Sequence, residues 1–211
     1  MNVAINGLGR IGRAAMKQIL DESELNLVGV NDLIPAAHLA YLLNYDTVYG
    51  RYKRKVEADA DGLRVDGRLV PLFHEKDPSL LPWKKLGVGV VFECTGAFRK
   101  REDLVKHLVA GAHTVILSAP AKGDDIGTVV HGVNTATGDG KRVISCASCT
   151  TNCIAPVMEV MNRRIGVRKA VMTTIHAYTS SQGIVDGPNK QFRRGRAAAA
   201  NLVPTSTGAA I

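Results

Sequence analysis

Short apolar runs alternate with helical patterns over the first fifty residues, which predicts β-α-β units and a parallel sheet. Val3 to Ile5 has the pattern of a buried strand, and Leu27 to Val30 repeats it. Between these strands, apolar residues recur at helical spacing; they are Ile11, Ala14, Ala15, Ile19 and Leu20. The chain is therefore predicted to begin with one strand–helix–strand unit.

The pattern changes to short alternating segments between Arg51 and Phe73, which predicts an antiparallel insertion. Asp66-Gly67 is a residue pair typical of a two-residue hairpin turn. Beyond the insertion, a helix is predicted from about Glu102 to Val109. Strands of the parallel sheet are predicted at Val88 to Phe92, Val115 to Leu117 and Val143 to Ser145.

The last third of the chain shows a different order of elements. A helix pattern runs from Thr150 to Arg164, and Ala170 to Tyr178 has the pattern of a long strand that carries His176 near its end. The segment from Ser180 to Asn201 contains Gly and Pro and has no clear period, which predicts an ordered loop. We therefore expect a domain boundary near Cys149.

Composition narrows the class of protein. With 211 residues and 45% apolar residues, the chain can bury a core in one large domain or two small ones. No apolar stretch approaches the roughly 18 residues of a membrane span, and Met1 leads into a strand without a signal-peptide pattern, so we expect no membrane and a cytoplasmic location. The net charge of +8 suits an anionic partner, either nucleic acid or phosphorylated small molecules.

A glycine motif points to a dinucleotide. Gly7-Leu8-Gly9-Arg10-Ile11-Gly12 matches G-x-G-x-x-G between a predicted strand and helix, and Asp32 stands twenty positions after the last glycine. Gly7 permits the tight turn, Gly9 lets the backbone approach the pyrophosphate, and Gly12 lets helix and strand pack closely. Asp32 suits a ribose hydroxyl and would repel a 2′-phosphate, which favours NAD over NADP. The alternative is a structural glycine turn with Asp32 as a helix N-cap.

Cys149 is a candidate nucleophile because it lies where a predicted strand gives way to a helix. A helix N-terminus stabilises a thiolate and lowers its pKa, and His176 could act as general base and acid. Spacing alone favours a plainer interpretation, in which Cys149 is a small buried residue and His176 a core or surface group. Cys94 and Cys146 are expected to be core residues, and Cys153 either a packing residue or a second thiol without a catalytic role. No Cys–His spacing suggests a zinc or other metal site.

Five motifs together resemble the phosphorylating glyceraldehyde-3-phosphate dehydrogenase family. They recur in family order over the whole chain. Because the run that starts at Ser148 is highly specific, the resemblance favours the catalytic interpretation of Cys149 and His176 over the plainer one. The motifs are Asn6 to Arg13, Ser148 to Cys153, His176 to Thr179, Arg193 to Ala199 and Pro204 to Ala210.

The resemblance implies NAD-dependent oxidation of glyceraldehyde 3-phosphate to 1,3-bisphosphoglycerate. Cys149 would attack the aldehyde, hydride would pass to the nicotinamide, and inorganic phosphate would cleave the resulting thioester. His176 would take and return the protons. Together with the backbone N–H of Cys149, it would stabilise the developing oxyanion, a contribution of about 3 kcal/mol per donor.

The resemblance also implies a fold, an assembly and two sets of binding residues. Residues 1–148 would form a Rossmann-type NAD-binding domain, an α/β doubly wound and mostly parallel sheet, and residues 149–211 the beginning of an α+β catalytic domain of a homotetramer. Ser148, Thr150, Thr207 and Gly208 would hold the attacking phosphate, and Thr179 and Arg194 would contact the substrate phosphate. The implied cofactor residues beyond the three glycines are Arg10, Ile11, Asp32, Lys76, Thr95, Gly96 and Ser118.

Two departures and three alternatives accompany the resemblance. Lys76 stands where many members have arginine near the adenine, and family members continue well beyond Ile211, so we expect a fragment. Erythrose-4-phosphate dehydrogenase is the nearest alternative, although the Thr205 to Gly208 segment favours the glyceraldehyde enzyme. An NAD-binding fragment without activity is the second. An RNA-binding module is the third, and it is disfavoured because aromatic residues are sparse, so we do not expect a nucleic acid partner.

Overall fold

The computed structural model describes residues 1–209. Ala210, the last residue of the fifth motif, and Ile211 lie outside the described residues. The chain divides into a first unit, Met1–Ser148, and a second unit, Cys149–Ile211.

The first unit is built on a nine-stranded sheet. Its strands are β1 (Asn2–Asn6), β2 (Asn26–Asn31), β5 (Val56–Asp59), β6 (Gly62–Val65), β7 (Arg68–Phe73), β8 (Val90–Glu93), β9 (Thr114–Leu117), β10 (Gly127–Thr128) and β11 (Val143–Ser145), while β3 (Tyr45–Asp46) and β4 (Gly50–Arg51) pair separately. The strands of the sheet follow the order β10-β11-β9-β8-β1-β2-β7-β6-β5, and all neighbours from β10 to β7 are parallel. This confirms the predicted doubly wound, mostly parallel sheet.

Helices connect the strands of the first unit. They are α1 (Arg10–Asp21), α2 (Ala36–Asn44) and α3 (Arg101–Val109), with short 3-10 helices at Pro78–Leu80 and Thr135–Gly138. The buried face of α1 consists of Gly12, Met16 and Ile19, spaced at i, i+4 and i+7. These residues pack toward β1, whose central residues Val3 to Ile5 are fully buried.

The antiparallel insertion is also confirmed. Strands β5, β6 and β7 pair antiparallel, and β7 joins the insertion to the parallel sheet through β2. The turn between β6 and β7 is Asp66-Gly67, with φ of 47° and 84°. Positive φ at both central residues identifies a type I′ turn, whose twist matches the twist of the strands that it joins.

The second unit contains α4 (Cys149–Arg164) and a 3-10 helix at Phe192–Gly195. The strand predicted over Ala170 to Tyr178 is wrong, because the structure assigns no strand to this segment. Two of its apolar residues are almost fully exposed, Val171 at 98% and Ile175 at 95%. The alternating pattern describes a segment able to join a sheet, but a strand needs a neighbour for its N–H and C=O groups, and the described residues of this unit supply none.

Candidate functional site

A cleft of about 350 Å³ opens at the carboxyl ends of the parallel strands in the first unit. Strand β1 lies between β2 and β8 in the sheet. The strand that follows β1 in sequence, β2, lies on one side of it, and β8 and the later parallel strands lie on the other, so the strand order reverses between β1 and β8. Ligands of open α/β sheets bind at such a switch point. The lining residues are Asn6, Gly7, Gly9, Asn31, Asp32, Leu33, Ile34, Glu75, Lys76, Cys94, Thr95, Ala97 and Phe98.

The glycine loop fits a dinucleotide phosphate. A Cβ on Gly7, where φ is +92°, would lie 2.7 Å from the backbone nitrogen of Thr95, and a Cβ on Gly12 would lie 1.9 Å from the carbonyl oxygen of Gly7. Both positions therefore require glycine for close packing. A Cβ on Gly9 would meet nothing within 4 Å, so space is open beside the residue that precedes α1. No side chain caps this helix end, which leaves its first N–H groups directed at that space.

Asp32 lies half-buried in the wall of the cleft. Its Oδ2 accepts a hydrogen bond from the backbone of Leu8 at 2.6 Å and its Oδ1 one from Ile34 at 2.9 Å. Each oxygen keeps a further lone pair for a ribose hydroxyl. The interpretation of Asp32 as a helix N-cap is wrong, because the N-cap residue of α2 is Pro35.

The other implied cofactor residues divide into two groups. Lys76 and Thr95 line the cleft, whereas Arg10, Ile11, Gly96 and Ser118 are not among the lining residues. Arg10 forms an ion pair with Asp46 and lies over the ring of Tyr49. Ile11 is 54% exposed, Gly96 has a φ of +71°, and the backbone N–H of Ser118 donates to the carbonyl of Glu93 at 3.0 Å.

Sequence reasoning missed several residues of this cleft. Asn6 and Asn31 end β1 and β2, and Phe98 follows β8. Polar residues at the last position of buried strands were an available signal, because parallel strands in neighbouring positions present those ends at one edge of the sheet. The pattern of the sequence does not say which strands are neighbours.

The second unit brings Cys149 and His176 together. Cys149 is the first residue of α4, and its Sγ lies 3.2 Å from Nε2 of His176. Nδ1 of His176 lies 2.6 Å from the carbonyl oxygen of Ala177. A carbonyl only accepts, so Nδ1 carries hydrogen and Nε2 is the nitrogen that exchanges a proton with the thiol.

Opposite pKa shifts accompany this contact. The hydrogen bond to His176 is the largest cause that lowers the pKa of the Cys149 thiol; partial desolvation opposes it, and the charge of His176 and hydrogen bonds with Thr150 lower the pKa further. The pKa of His176 is raised, first by the Ala177 carbonyl and then by the thiol. Both shifts favour a thiolate beside an imidazolium, which is the reactive state of a cysteine nucleophile.

Replacing His176 by Asn should raise the pKa of Cys149, because the variant removes the largest cause of its lowering. The rate of Cys149 alkylation by iodoacetamide, followed by peptide mass spectrometry against pH, should show its inflection at a higher pH than in the parent. His131→Asn, at an exposed histidine of the first unit, is the matched control and should leave the profile unchanged. An unshifted inflection in His176→Asn would contradict the assigned contact.

A second cleft, of about 340 Å³, lies beside this pair within the second unit. It gathers five of the residues implied by the resemblance: Thr150, His176, Thr179, Arg194 and Thr207. Gly208 is not among its lining residues, and Ser148 belongs to the first unit.

The hydrogen bonds of Arg194 leave its charge available for an anion. Its guanidinium donates to the hydroxyl of Thr205 at 2.6 Å and to that of Ser181 at 2.9 Å. Arg196, by contrast, pairs with the carboxylate of Asp186 at 2.7 Å. Hydroxyl partners do not neutralise a guanidinium, so Arg194 retains the charge that suits a phosphate.

The remaining cysteines differ from Cys149. Burial raises the pKa of Cys94 to about 11 and also raises the pKa of Cys146. Both thiols are therefore poor nucleophiles at neutral pH. Cys153 lies exposed on α4. Among residues 1–209, no group of three His, Cys, Asp or Glu side chains is placed to hold a metal ion, and no helix is long and apolar enough to cross a membrane.

The fold and the two clefts define a dinucleotide-binding α/β protein that also carries a paired cysteine and histidine. Two family models match the chain: the glyceraldehyde 3-phosphate dehydrogenase NAD binding domain over residues 1–101, and the glyceraldehyde 3-phosphate dehydrogenase C-terminal domain over residues 148–211. The chain belongs to the glyceraldehyde-3-phosphate dehydrogenase family, and NAD is the cofactor of its first domain.

Curated relatives align with the chain over all or nearly all of its length. Glyceraldehyde-3-phosphate dehydrogenase of Clostridium pasteurianum is 50% identical over 99% of this chain, and glyceraldehyde-3-phosphate dehydrogenase 1 of Bacillus subtilis is 50% identical over 100% of it. The enzyme of Geobacillus stearothermophilus is 49% identical over 100% of the chain. The chain spans 63% of the length of each of these relatives.

Proposed function

We propose that this protein catalyses the NAD-dependent oxidative phosphorylation of D-glyceraldehyde 3-phosphate to 1,3-bisphosphoglycerate. The observation that carries the proposal is the 3.2 Å contact between Cys149 Sγ and His176 Nε2 at the beginning of α4. The names of the relatives and the family models support it. Assembly into a homotetramer stays a prediction.

In this proposal, Cys149 forms the covalent bond with the substrate. The Cys149 thiolate attacks the aldehyde carbon to form a hemithioacetal, and His176 donates and then removes the proton on the former carbonyl oxygen. Bound NAD supplies the acceptor for the hydride that leaves this carbon. The resulting thioester is attacked by a phosphate oxygen, which forms the acyl phosphate and releases the Cys149 thiolate.

The second cleft supplies the phosphate contacts. Arg194 offers a charge that no carboxylate of its hydrogen-bond partners offsets, and Thr150, Thr179 and Thr207 offer hydroxyl donors. Phosphate oxygens only accept hydrogen bonds, so this donor set suits them. We assign the attacking phosphate to Thr150 and Thr207, together with Ser148 and Gly208, and the substrate phosphate to Thr179 and Arg194.

The first cleft binds the cofactor in this proposal. Gly7, Gly9 and Gly12 shape the phosphate loop, and Asp32 accepts hydrogen bonds from the adenosine ribose. Lys76 and Thr95 complete its walls. Four further residues do not line this cleft, and their role in binding stays a prediction: Arg10, Ile11, Gly96 and Ser118.

The test is to follow NADH formation by the purified chain with glyceraldehyde 3-phosphate, NAD and inorganic phosphate. Turnover that requires all three is expected, with about one equivalent of NADH per chain when phosphate is omitted, because the thioester then accumulates. Faster turnover of erythrose 4-phosphate would favour the close relative instead. Saturable NAD binding without aldehyde-dependent NADH formation would mean that this chain binds the cofactor but lacks activity. Tighter binding of NADP than of NAD would contradict the role of Asp32.

A further inference from the structure

A row of three buried polar side chains crosses the carboxyl ends of three adjacent strands beneath the cofactor cleft and reaches the backbone that follows a fourth. Glu93 ends β8, Asn6 ends β1, Asn31 ends β2, and Glu75 follows β7. The side chains of Glu93, Asn6 and Asn31 are 0%, 1% and 4% exposed. Buried polar groups persist only when they are hydrogen-bonded, so the partners of this row decide what it does.

Glu93 holds the wall of the cleft that follows β8. Its Oε1 accepts hydrogen bonds from both the backbone N–H, at 2.7 Å, and the hydroxyl of Thr95. Thr95 in turn accepts from the N–H of Ala97 through its hydroxyl oxygen at 3.1 Å. One carboxylate oxygen therefore holds Thr95 and, through its hydroxyl, the N–H of Ala97 in this wall, which continues to Phe98.

The other oxygen of Glu93 holds the opposite wall through two asparagines. Oε2 accepts from Asn6 Nδ2 at 2.6 Å, and Oδ1 of Asn6 accepts from Asn31 Nδ2 at 2.7 Å. Asn31 also pairs with the backbone of Glu75, accepting from its N–H at 2.8 Å and donating to its carbonyl at 2.9 Å. This wall carries Asp32 and Lys76, the neighbours of Asn31 and Glu75 in sequence.

His107, which itself accepts a hydrogen bond from Trp83, is the remaining donor to Glu93. The indole N–H of Trp83, which can only donate, lies 3.0 Å from Nδ1 of His107, so Nδ1 is an acceptor and the hydrogen of the neutral ring is on Nε2. Nε2 then donates to Glu93 Oε2 at 3.0 Å. Each side-chain oxygen of Glu93 thus accepts two hydrogen bonds, Oε1 from Thr95 and Oε2 from Asn6 and His107.

We propose that Glu93 is a positioning residue for cofactor binding, whose buried carboxylate sets the spacing between the two walls of the dinucleotide cleft. It ties Thr95 on one side to the Asn31–Asp32 and Glu75–Lys76 segments on the other, across the β1–β8 switch point. The inference rests on the proposed function in taking NAD as the ligand. The coupling between the walls is a property of the unliganded protein and can be measured without it.

Glu93→Gln is the central variant, since an amide keeps the size of the side chain but turns one acceptor into a donor that faces donors. NAD affinity, measured by calorimetry, should fall about tenfold or more, the loss expected for hydrogen bonds to a buried charge. Amide hydrogen exchange of the unliganded protein should accelerate together in residues 94–98 and 74–77. NAD binding at the affinity of the parent, or faster exchange in only one wall, would overturn the proposal.

Two further variants separate positioning from general stability. Leu63→Ala opens a cavity in the core at β6, away from the hydrogen bonds of Glu93, and it should lower the urea midpoint while NAD affinity stays at that of the parent. Asn6→Ala removes the link between Glu93 and Asn31, so amide hydrogen exchange should accelerate in residues 74–77 but not in residues 94–98. The same variant tests the proposal if Glu93→Gln does not fold. Loss of NAD affinity that merely follows the loss of stability across all three variants would overturn the proposal.

The exchange measurements distinguish the two proposals. If the parent chain fails to bind NAD, the proposed function fails. Joint acceleration of both walls in unliganded Glu93→Gln would still support the positioning role, and independent behaviour of the walls would overturn it.

Discussion

Replacing Cys149 by Ser should lower aldehyde-dependent NADH formation by about 10⁴-fold or more, because the reaction loses its nucleophile and the covalent intermediate with it. A serine hydroxyl does not ionise near neutral pH, so the contact with His176 at 3.2 Å cannot generate an equivalent anion. Single-turnover absorbance of NADH measures the effect directly. The rapid alkylation that the lowered pKa of Cys149 predicts should disappear as well.

Cys153→Ser is the matched control, since it makes the same chemical change one helical turn along α4. This variant should retain the NADH burst and the fast alkylation of the parent. If Cys149→Ser retained the burst, or Cys153→Ser lost it, the nucleophile would be assigned to the wrong residue.

Replacing Gly12 by Ala should abolish NAD binding and destabilise the first unit. The added Cβ would lie 1.9 Å from the carbonyl oxygen and 2.9 Å from the carbonyl carbon of Gly7, so α1 must move away from the loop that follows β1. Overpacking of this kind costs about 1–3 kcal/mol of folding free energy. Urea denaturation followed by circular dichroism measures the stability, and calorimetry measures the binding of NAD.

Gly9→Ala separates cofactor contact from packing. Its Cβ would meet nothing within 4 Å, and the backbone of Gly9, with φ of −66° and ψ of −163°, is accessible to alanine. The urea midpoint should therefore stay unchanged, while NAD affinity should fall because the Cβ occupies the space beside the end of α1. Unchanged affinity would mean that the pyrophosphate does not approach Gly9, and unchanged stability in Gly12→Ala would contradict the packing described for α1.

Local signals in the sequence were enough to predict much of the first unit. The Asp66-Gly67 turn and the helix α3 were predicted because their conformations depend on neighbours within a few residues. The strand at Val143–Ser145 was predicted from its apolar run. The glycine motif was equally readable, since Gly7 and Gly12 each meet a steric requirement of one short loop.

Non-local features were beyond the same reasoning. Glu93 and His107 are separated by 14 positions and Asn6 and Glu93 by 87, so no window of sequence shows that they share hydrogen bonds. His107 in particular has the sequence context of an ordinary helical residue, yet it is fully buried. The strand predicted at Ala170 to Tyr178 failed for the same reason, because periodicity describes a segment and not the partner that a strand requires.

Trp83 gives the first unit an optical signal of its own. It is the single tryptophan of the chain and is fully buried, so its emission reports on the folding of Met1–Ser148 and not on the residues from Cys149 onward. Denaturation curves from tryptophan fluorescence and from the loss of fast Cys149 alkylation therefore follow the two units separately. Coincident curves would mean that the units unfold as one cooperative system, and separated curves would give each its own stability.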